Sequence, residues 1–121
     1  MEDVAARARW LAVALYGLMI FVASSIPSRA LGRAHIWDYD KWIHAAVYAG
    51  LGFLVMRAWA RLGPSVIVCA LYGVTDEWHQ LFTPGRDASA GDALADLVGA
   101  LLGAALCAML ARRRPDHGDS A

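Results

Sequence analysis

Apolar residues fall into four long blocks separated by short polar stretches. The first, Trp10 to Ile26 (WLAVALYGLMIFVASSI), carries no charge. Pro27 closes it, because proline cannot continue a helix. The second, Lys41 to Ala60, holds one internal ionisable group, His44, before Arg57 near its end, and Arg61 to Pro64 reads as the turn that follows. The third, Ser65 to Phe82, begins apolar (SVIVCALYGV) and turns polar at Thr75-Asp76-Glu77-Trp78-His79-Gln80. That second half is too polar to face lipid. The fourth, Asp92 to Ala111, ends at Arg112-Arg113-Arg114 and carries Gly99 and Gly103 at the four-residue spacing that lets helix backbones approach closely. A bilayer core requires about 20 predominantly apolar residues per helix, so the pattern predicts four transmembrane helices.

Composition agrees with this reading. The chain has 121 residues, 59% hydrophobic and 18% charged, with a mean hydropathy of +0.42, which is too apolar for an ordinary soluble domain of this size. The predicted fold is all-α, an integral membrane bundle of four transmembrane helices spanning 10–111. Residues 1–9 form an N-terminal segment, and 112–121 a basic and then polar tail, disordered from Pro115 to Ala121. A cleaved signal peptide is the rival reading of the first block, since Arg7 and Arg9 precede it and Ala23, Ser24 and Ser25 lie near its end. Its apolar run exceeds the usual 7–15 residues of such a core, which favours a retained helix. Net charge is zero, so nothing in the overall charge suggests a nucleic-acid partner. Cys69 and Cys107 sit in apolar runs without a CxxC or Cys/His cluster and read as small hydrophobes.

Orientation follows from where positive charge lies. With both termini cytoplasmic, the inner face carries Arg7, Arg9, Arg57, Arg61, Arg112, Arg113 and Arg114, and the outer face the smaller set Arg29, Arg33, Lys41 and Arg86. The predicted localisation is the cell membrane, multi-pass, with the loops Pro27–Asp40 and Thr83–Gly91 outside.

That topology gathers the polar residues at the outer face. Asp40, Lys41, His44 and Tyr48 recur at helical spacing on the second helix, so Lys41, His44 and Tyr48 should point into the bundle. Tyr72, Asp76, His79 and Gln80 form a similar stripe on the third, with Glu77 beside it. On the fourth, Asp92 and Asp96 stand one turn apart and continue into the glycine stripe. Ionisable groups within a span cost roughly 2.5–3.5 kcal/mol each on insertion scales, so a cluster of them marks a candidate site by default. In the following loop, Pro84-Gly85 signals a turn. Ser89 with Asp92 three residues on reads as a helix cap rather than a nucleophile. Arg86 could present its planar fork to a phosphate or carboxylate.

Taken in order, Asp40-Lys41-x-x-His44-x-x-x-Tyr48, then Tyr72-Gly73-x-x-Asp76-Glu77-x-His79-Gln80, Pro84-Gly85-Arg86-x-x-Ser89-x-x-Asp92, and Ala95-Asp96-x-x-Gly99-x-x-x-Gly103, the sequence resembles the VanZ-like family from about Asp40 to Gly103. The resemblance implies a small bacterial membrane protein; the name-giving member is associated with teicoplanin resistance. It maps family positions onto Asp40, Lys41 and His44, onto Asp76, Glu77 and Gln80, and onto Arg86 and Asp92. Asp96 departs from the asparagine often found there in longer members.

Two functional classes follow, beside a structural one. A membrane enzyme acting on a lipid-linked or cell-envelope substrate would use His44 or His79 as general acid or base, with Asp76 and Glu77 as partners. Its substrate-binding residues would be Asp40, Lys41, Tyr48, Gln80, Arg86, Asp92 and Asp96, with Lys41 and Arg86 taking an anionic group. A non-catalytic protein that binds an amphipathic lipid or glycopeptide antibiotic would use the same groups for recognition, with Trp37, Trp42, Trp59 and Trp78 as anchors. The third reading is a buried polar network that fixes helix register. The sequence leaves any cofactor unassigned. No metal ligands are assigned, since no single helix carries an HExxH-like pair, although Asp92 and Asp96 with the histidines could hold a divalent ion.

Overall fold

The computed structural model describes residues 1–26, 40–83 and 89–114. They form four helices and, among the described residues, no strand: α1 (Glu2–Ser24), α2 (Asp40–Trp59), α3 (Leu62–Gln80) and α4 (Ala90–Arg112). The polypeptide is therefore all-helical as expected, but only α1 and α4 are by themselves long and apolar enough to cross a membrane. The polar residues at one end of α2 and α3 lower the hydropathy of those two. The expected outer loop before Asp40, the Pro84-Gly85 turn and the tail from Pro115 lie outside the described residues.

Two helix starts differ from the sequence expectation. α1 begins at Glu2 rather than Trp10; Glu2 and Asp3 occupy its first turn, where negative charge favours the positive end of the helix dipole. α3 begins at Leu62, so Gly63 and Pro64 lie inside its first turn rather than in a preceding loop. Proline is tolerated there because first-turn N–H groups have no intrahelical partner. The reversal between α2 and α3 is correspondingly tight. Ala60 takes the left-handed conformation (φ 61°) and Arg61 is extended before α3 starts.

The helices alternate in direction. Trp10 meets Trp59 edge-on, with ring centroids 6.1 Å apart, at one end of the bundle. At the other end the Thr83 hydroxyl donates to the Ser24 carbonyl (3.4 Å) and Ser25 meets His79. Tyrosine hydroxyls fasten α1 to its neighbours: Tyr16 donates to the Val47 carbonyl (2.6 Å) and Tyr72 to the Gly17 carbonyl (2.5 Å). Ile20, Tyr48, Leu51, Val55, Cys69 and Ala100 make the buried core, and both cysteines are free and buried.

The closest approach is between the parallel helices α2 and α4. A Cβ added at Gly99 would overlap the Ala45 backbone, one at Gly103 the Ala49 backbone, and one at Gly52 the Ala100 backbone. Small residues on both helices let the backbones touch, as the glycine spacing on α4 led one to expect. The outer surface is apolar instead: Leu11, Leu15, Leu18, Ile67, Leu71, Val74, Leu94, Leu102 and Leu106 are all exposed.

Gly103→Ala should therefore force α2 and α4 apart and lower stability by about 1–3 kcal/mol. Gly63→Ala, whose new methyl would meet nothing within 4 Å, should leave it unchanged or slightly higher, since alanine is the better helix former. Thermal unfolding followed by circular dichroism in detergent micelles compares the two; equal midpoints would show that the close crossing does not limit stability.

Candidate functional site

Three helices bring polar side chains together at one end of the bundle. α2 contributes His44 and Tyr48, one turn apart and both buried. The last turns of α3 contribute Asp76, Glu77 and Gln80, buried to within 7% of full enclosure. α4 contributes Asp92 in its first turn and Asp96 about 9 Å along its axis from Ala90, at a rise of about 1.5 Å per residue. Asp96 is fully enclosed. Gly73 on α3 makes this possible, because a Cβ there would lie 3.0 Å from the Asp96 Cβ and 3.1 Å from its Oδ2.

The start of α4 is fixed by chemistry read from the sequence and by a contact that was not. Ser89 caps the helix, its hydroxyl accepting from the Asp92 N–H (3.0 Å). In a complete capping box the third-position side chain reaches back to the cap residue's own N–H. Here that N–H instead donates to Glu77 Oε2 (3.2 Å), tying α3 to α4.

At the centre, one donor atom each from His44, Asp76, Glu77 and Asp96 lies within 4.8 Å of the others. His44 Nδ1 is 2.8 Å from Asp96 Oδ1 and 3.7 Å from Glu77 Oε1. The Tyr48 hydroxyl donates to Asp76 Oδ2 (3.2 Å). Among the described residues His44 is the only basic side chain within ion-pairing reach of these carboxylates. Glu77 Oε1 and Asp96 Oδ2 are buried and accept no hydrogen bond. A buried carboxylate oxygen without a donor is costly, and burying several acids together adds their mutual repulsion.

The remaining sequence candidates divide. Tyr48 lines the cluster, Gln80 is buried in the last turn of α3, and Asp92 lies close enough to Glu77 and Asp96 for their charges to interact. Lys41 is exposed instead of pointing inward; its Nζ lies over the first turn of α4, where a Cβ on Gly91 would come within 3.0 Å of it. His79 turns toward α1, its ring stacked on Phe21 (4.6 Å between centroids) and its Nε2 2.9 Å from Ser25 Oγ. The expected stripe of Tyr72, Asp76, His79 and Gln80 thus splits, with Tyr72 and His79 facing α1, Asp76 in the cluster and Gln80 buried. Arg86, the side chain of Asp40, and Trp37 lie outside the described residues.

Residues 9–111 match the VanZ/LLP1 family. The match covers most of the chain and all four helices, and the protein belongs to that family. No curated protein and no solved structure matches it.

Tyr48→Phe removes the only hydroxyl bonded to Asp76 among the described residues without changing side-chain volume much. The loss should lower stability by about 1–3 kcal/mol, the penalty for a buried acceptor left unpaired. Thr75→Ala removes an exposed hydroxyl bonded only to its own helix at the Tyr72 carbonyl, and should change stability by no more than about 0.5 kcal/mol. Denaturant or thermal unfolding in micelles measures both.

Proposed function

We propose that the chain is a four-span membrane protein with both termini cytoplasmic, whose polar cluster opens to the extracytoplasmic face and acts on a lipid-linked or other cell-envelope substrate. The distribution of polarity supports the four spans. Exposed side chains on α2 and α3 include Trp42, Ile43, Ile67, Val68, Leu71 and Val74, whereas His44, Asp76, Glu77, Gln80, Asp92 and Asp96 are buried. The hydropathy of α3 is lowered chiefly by the buried Asp76, Glu77 and Gln80, and that of α2 by the buried His44 together with Lys41 and Arg57 near its two ends, where charged side chains can reach the interface. Tryptophans support the same placement: Trp10 and Trp59 stand at one end, exposed Trp42 and Trp78 at the other, as interfacial aromatic belts do. Arg9, Arg57, Arg61 and Arg112 to Arg114 share the first end, the positive-inside side.

The observation that carries the chemical reading is the His44–Asp96 contact of 2.8 Å inside a cluster with unsatisfied acceptors. A carboxylate on one imidazole nitrogen fixes the ring's tautomer and orientation, which is what a proton-transfer histidine requires. A network serving only to hold helix register would satisfy its buried acceptors, and this one leaves two carboxylate oxygens without donors. Lys41 at the mouth, beside the positive end of α4, is suited to receive an anionic group such as a phosphate. His79, engaged with α1, is left out of the reacting set.

Orientation is tested by labelling with a membrane-impermeant maleimide. Phe82→Cys, 76% exposed, should react in intact cells, and Arg113→Cys only after permeabilisation. Both native cysteines are buried and give little background. The opposite labelling pattern would reverse the topology.

Function is tested by mass spectrometry of envelope lipids and their precursors from cells expressing matched levels of each variant. A lipid species altered by the wild type should return to baseline with Glu77→Gln and His44→Gln, loss of an acid–base group slowing turnover about 10²–10⁴-fold. It should remain altered with His79→Ala. Profiles identical between wild type and empty cells would overturn the catalytic reading and favour a binder of lipid or glycopeptide.

A further inference from the structure

The three carboxylates at the centre of the cluster share one pattern. Asp96 receives His44 Nδ1 on Oδ1, and its Oδ2 is open. Glu77 receives the Ser89 N–H on Oε2, and its Oε1 is open. Asp76 receives the Tyr48 hydroxyl on Oδ2, and among the described residues its other oxygen takes no hydrogen bond. Each acid is thus oriented through one oxygen by a donor from another part of the structure and keeps the other oxygen uncommitted. Orientation of this kind is what outer donors give to carboxylates that bind metal ions.

We propose that Asp76, Glu77 and Asp96 together hold a hard divalent cation of the Mg²⁺ or Mn²⁺ class, with His44, Ser89 and Tyr48 orienting the three ligands. The open oxygens are not surface groups: Asp96 is 0% exposed and Glu77 7%. Gly73 lets Asp96 Oδ2 lie against α3, where an added Cβ would come within 3.1 Å of it. In an octahedral Mg²⁺ site with bonds of about 2.1 Å, adjacent donors lie about 3 Å apart and opposite donors about 4.2 Å apart. One ligand atom from each of His44, Asp76, Glu77 and Asp96 lies within 4.8 Å of the others, just outside that range. Charge argues the same way, since the described cluster offers no cation but a protonated His44 to offset its acids.

The all-carboxylate donor set selects among ions. Ca²⁺ takes 6–8 oxygen ligands at 2.3–2.6 Å, whereas Mg²⁺ is content with a few carboxylates and completes its shell with water or substrate phosphate. Site specificity therefore comes from three protein oxygens and leaves positions open for an anionic ligand. The assignment goes beyond the catalytic reading and stands or falls separately from it.

The test uses the full chain in detergent micelles or nanodiscs, stripped with EDTA and titrated with MnCl₂ while free Mn²⁺ is followed by electron paramagnetic resonance. The wild type should bind one Mn²⁺ per chain, saturably, and release it to excess Mg²⁺. Glu77→Gln and Asp96→Asn should each weaken binding at least tenfold, and Tyr48→Phe, which removes only an orienting donor, roughly 10–100-fold. His79→Ala should bind as the wild type does. Absence of saturable Mn²⁺ binding by wild-type protein with intact helical circular dichroism overturns the proposal, whether or not the variants fold. Binding that is unaffected by Glu77→Gln and Asp96→Asn overturns it as well. Mn²⁺ binding without any change in envelope lipids keeps the ion site and removes the envelope-lipid reading; lipid changes that persist in protein unable to bind Mn²⁺ do the reverse.

Discussion

Contact between the α2 and α4 backbones is the constraint on which the site depends. Ala45 and Ala49 lie directly against Gly99 and Gly103, and Gly52 lies against Ala100. Without side chains between them, the two helices are held at a single separation and register. His44 stands one residue before Ala45, and Asp96 one turn before Gly99. Their 2.8 Å contact is therefore a consequence of the crossing a turn away. α3 then packs against this pair through Gly73, whose missing side chain admits the Asp96 carboxylate and brings Asp76 and Glu77 alongside it.

The same packing explains why a strongly acidic cluster can exist in so apolar a chain. Most large hydrophobic side chains point outward, and the interior is built of Ile20, Tyr48, Leu51, Val55, Cys69, Ser65, small residues and the polar cluster. In the proposed four-span arrangement such a bundle loses little by exposing leucine to lipid and a great deal by exposing aspartate to it. The polar residues are thus confined to the interface between helices, and there they concentrate where α2 and α4 start and α3 ends.

Much of this arrangement is legible in the sequence, and the parts that are not share a cause. Helical spacing places His44 with Tyr48, Asp92 with Asp96, and Gly99 with Gly103, and Ser89 is recognisable as a cap. These are local relations along one helix, which periodicity encodes directly. What periodicity leaves open is which neighbour a face meets. Tyr72, Asp76, His79 and Gln80 share a broad stripe, yet Tyr72 and His79 meet Gly17 and Phe21 of α1 and Ser25 at its end, while Asp76 meets the cluster. Lys41 likewise shares a face with His44 but lies at the helix start, beyond the partner surface. The Ser89 N–H on Glu77 and the accommodation of Asp96 by Gly73 are contacts between helices with no signature in either segment alone. An HExxH-like pair is also the wrong template for the proposed metal site, which takes the adjacent Asp76 and Glu77 from α3 and its third carboxylate, Asp96, from α4.

Position 96 shows how far charge, rather than hydrogen bonding, shapes the site. A side-chain amide there could accept from His44 Nδ1 through its oxygen and keep the orienting contact. Its second atom, however, would be a donor turned toward α3 at Gly73. The aspartate present in this chain puts an acceptor there and adds a negative charge to a cluster that already contains Asp76 and Glu77. Hydrogen bonding to His44 gives no reason to prefer the charged group in a fully enclosed position. A positively charged occupant does, because its attraction grows with each carboxylate that faces it and is strongest where water is excluded.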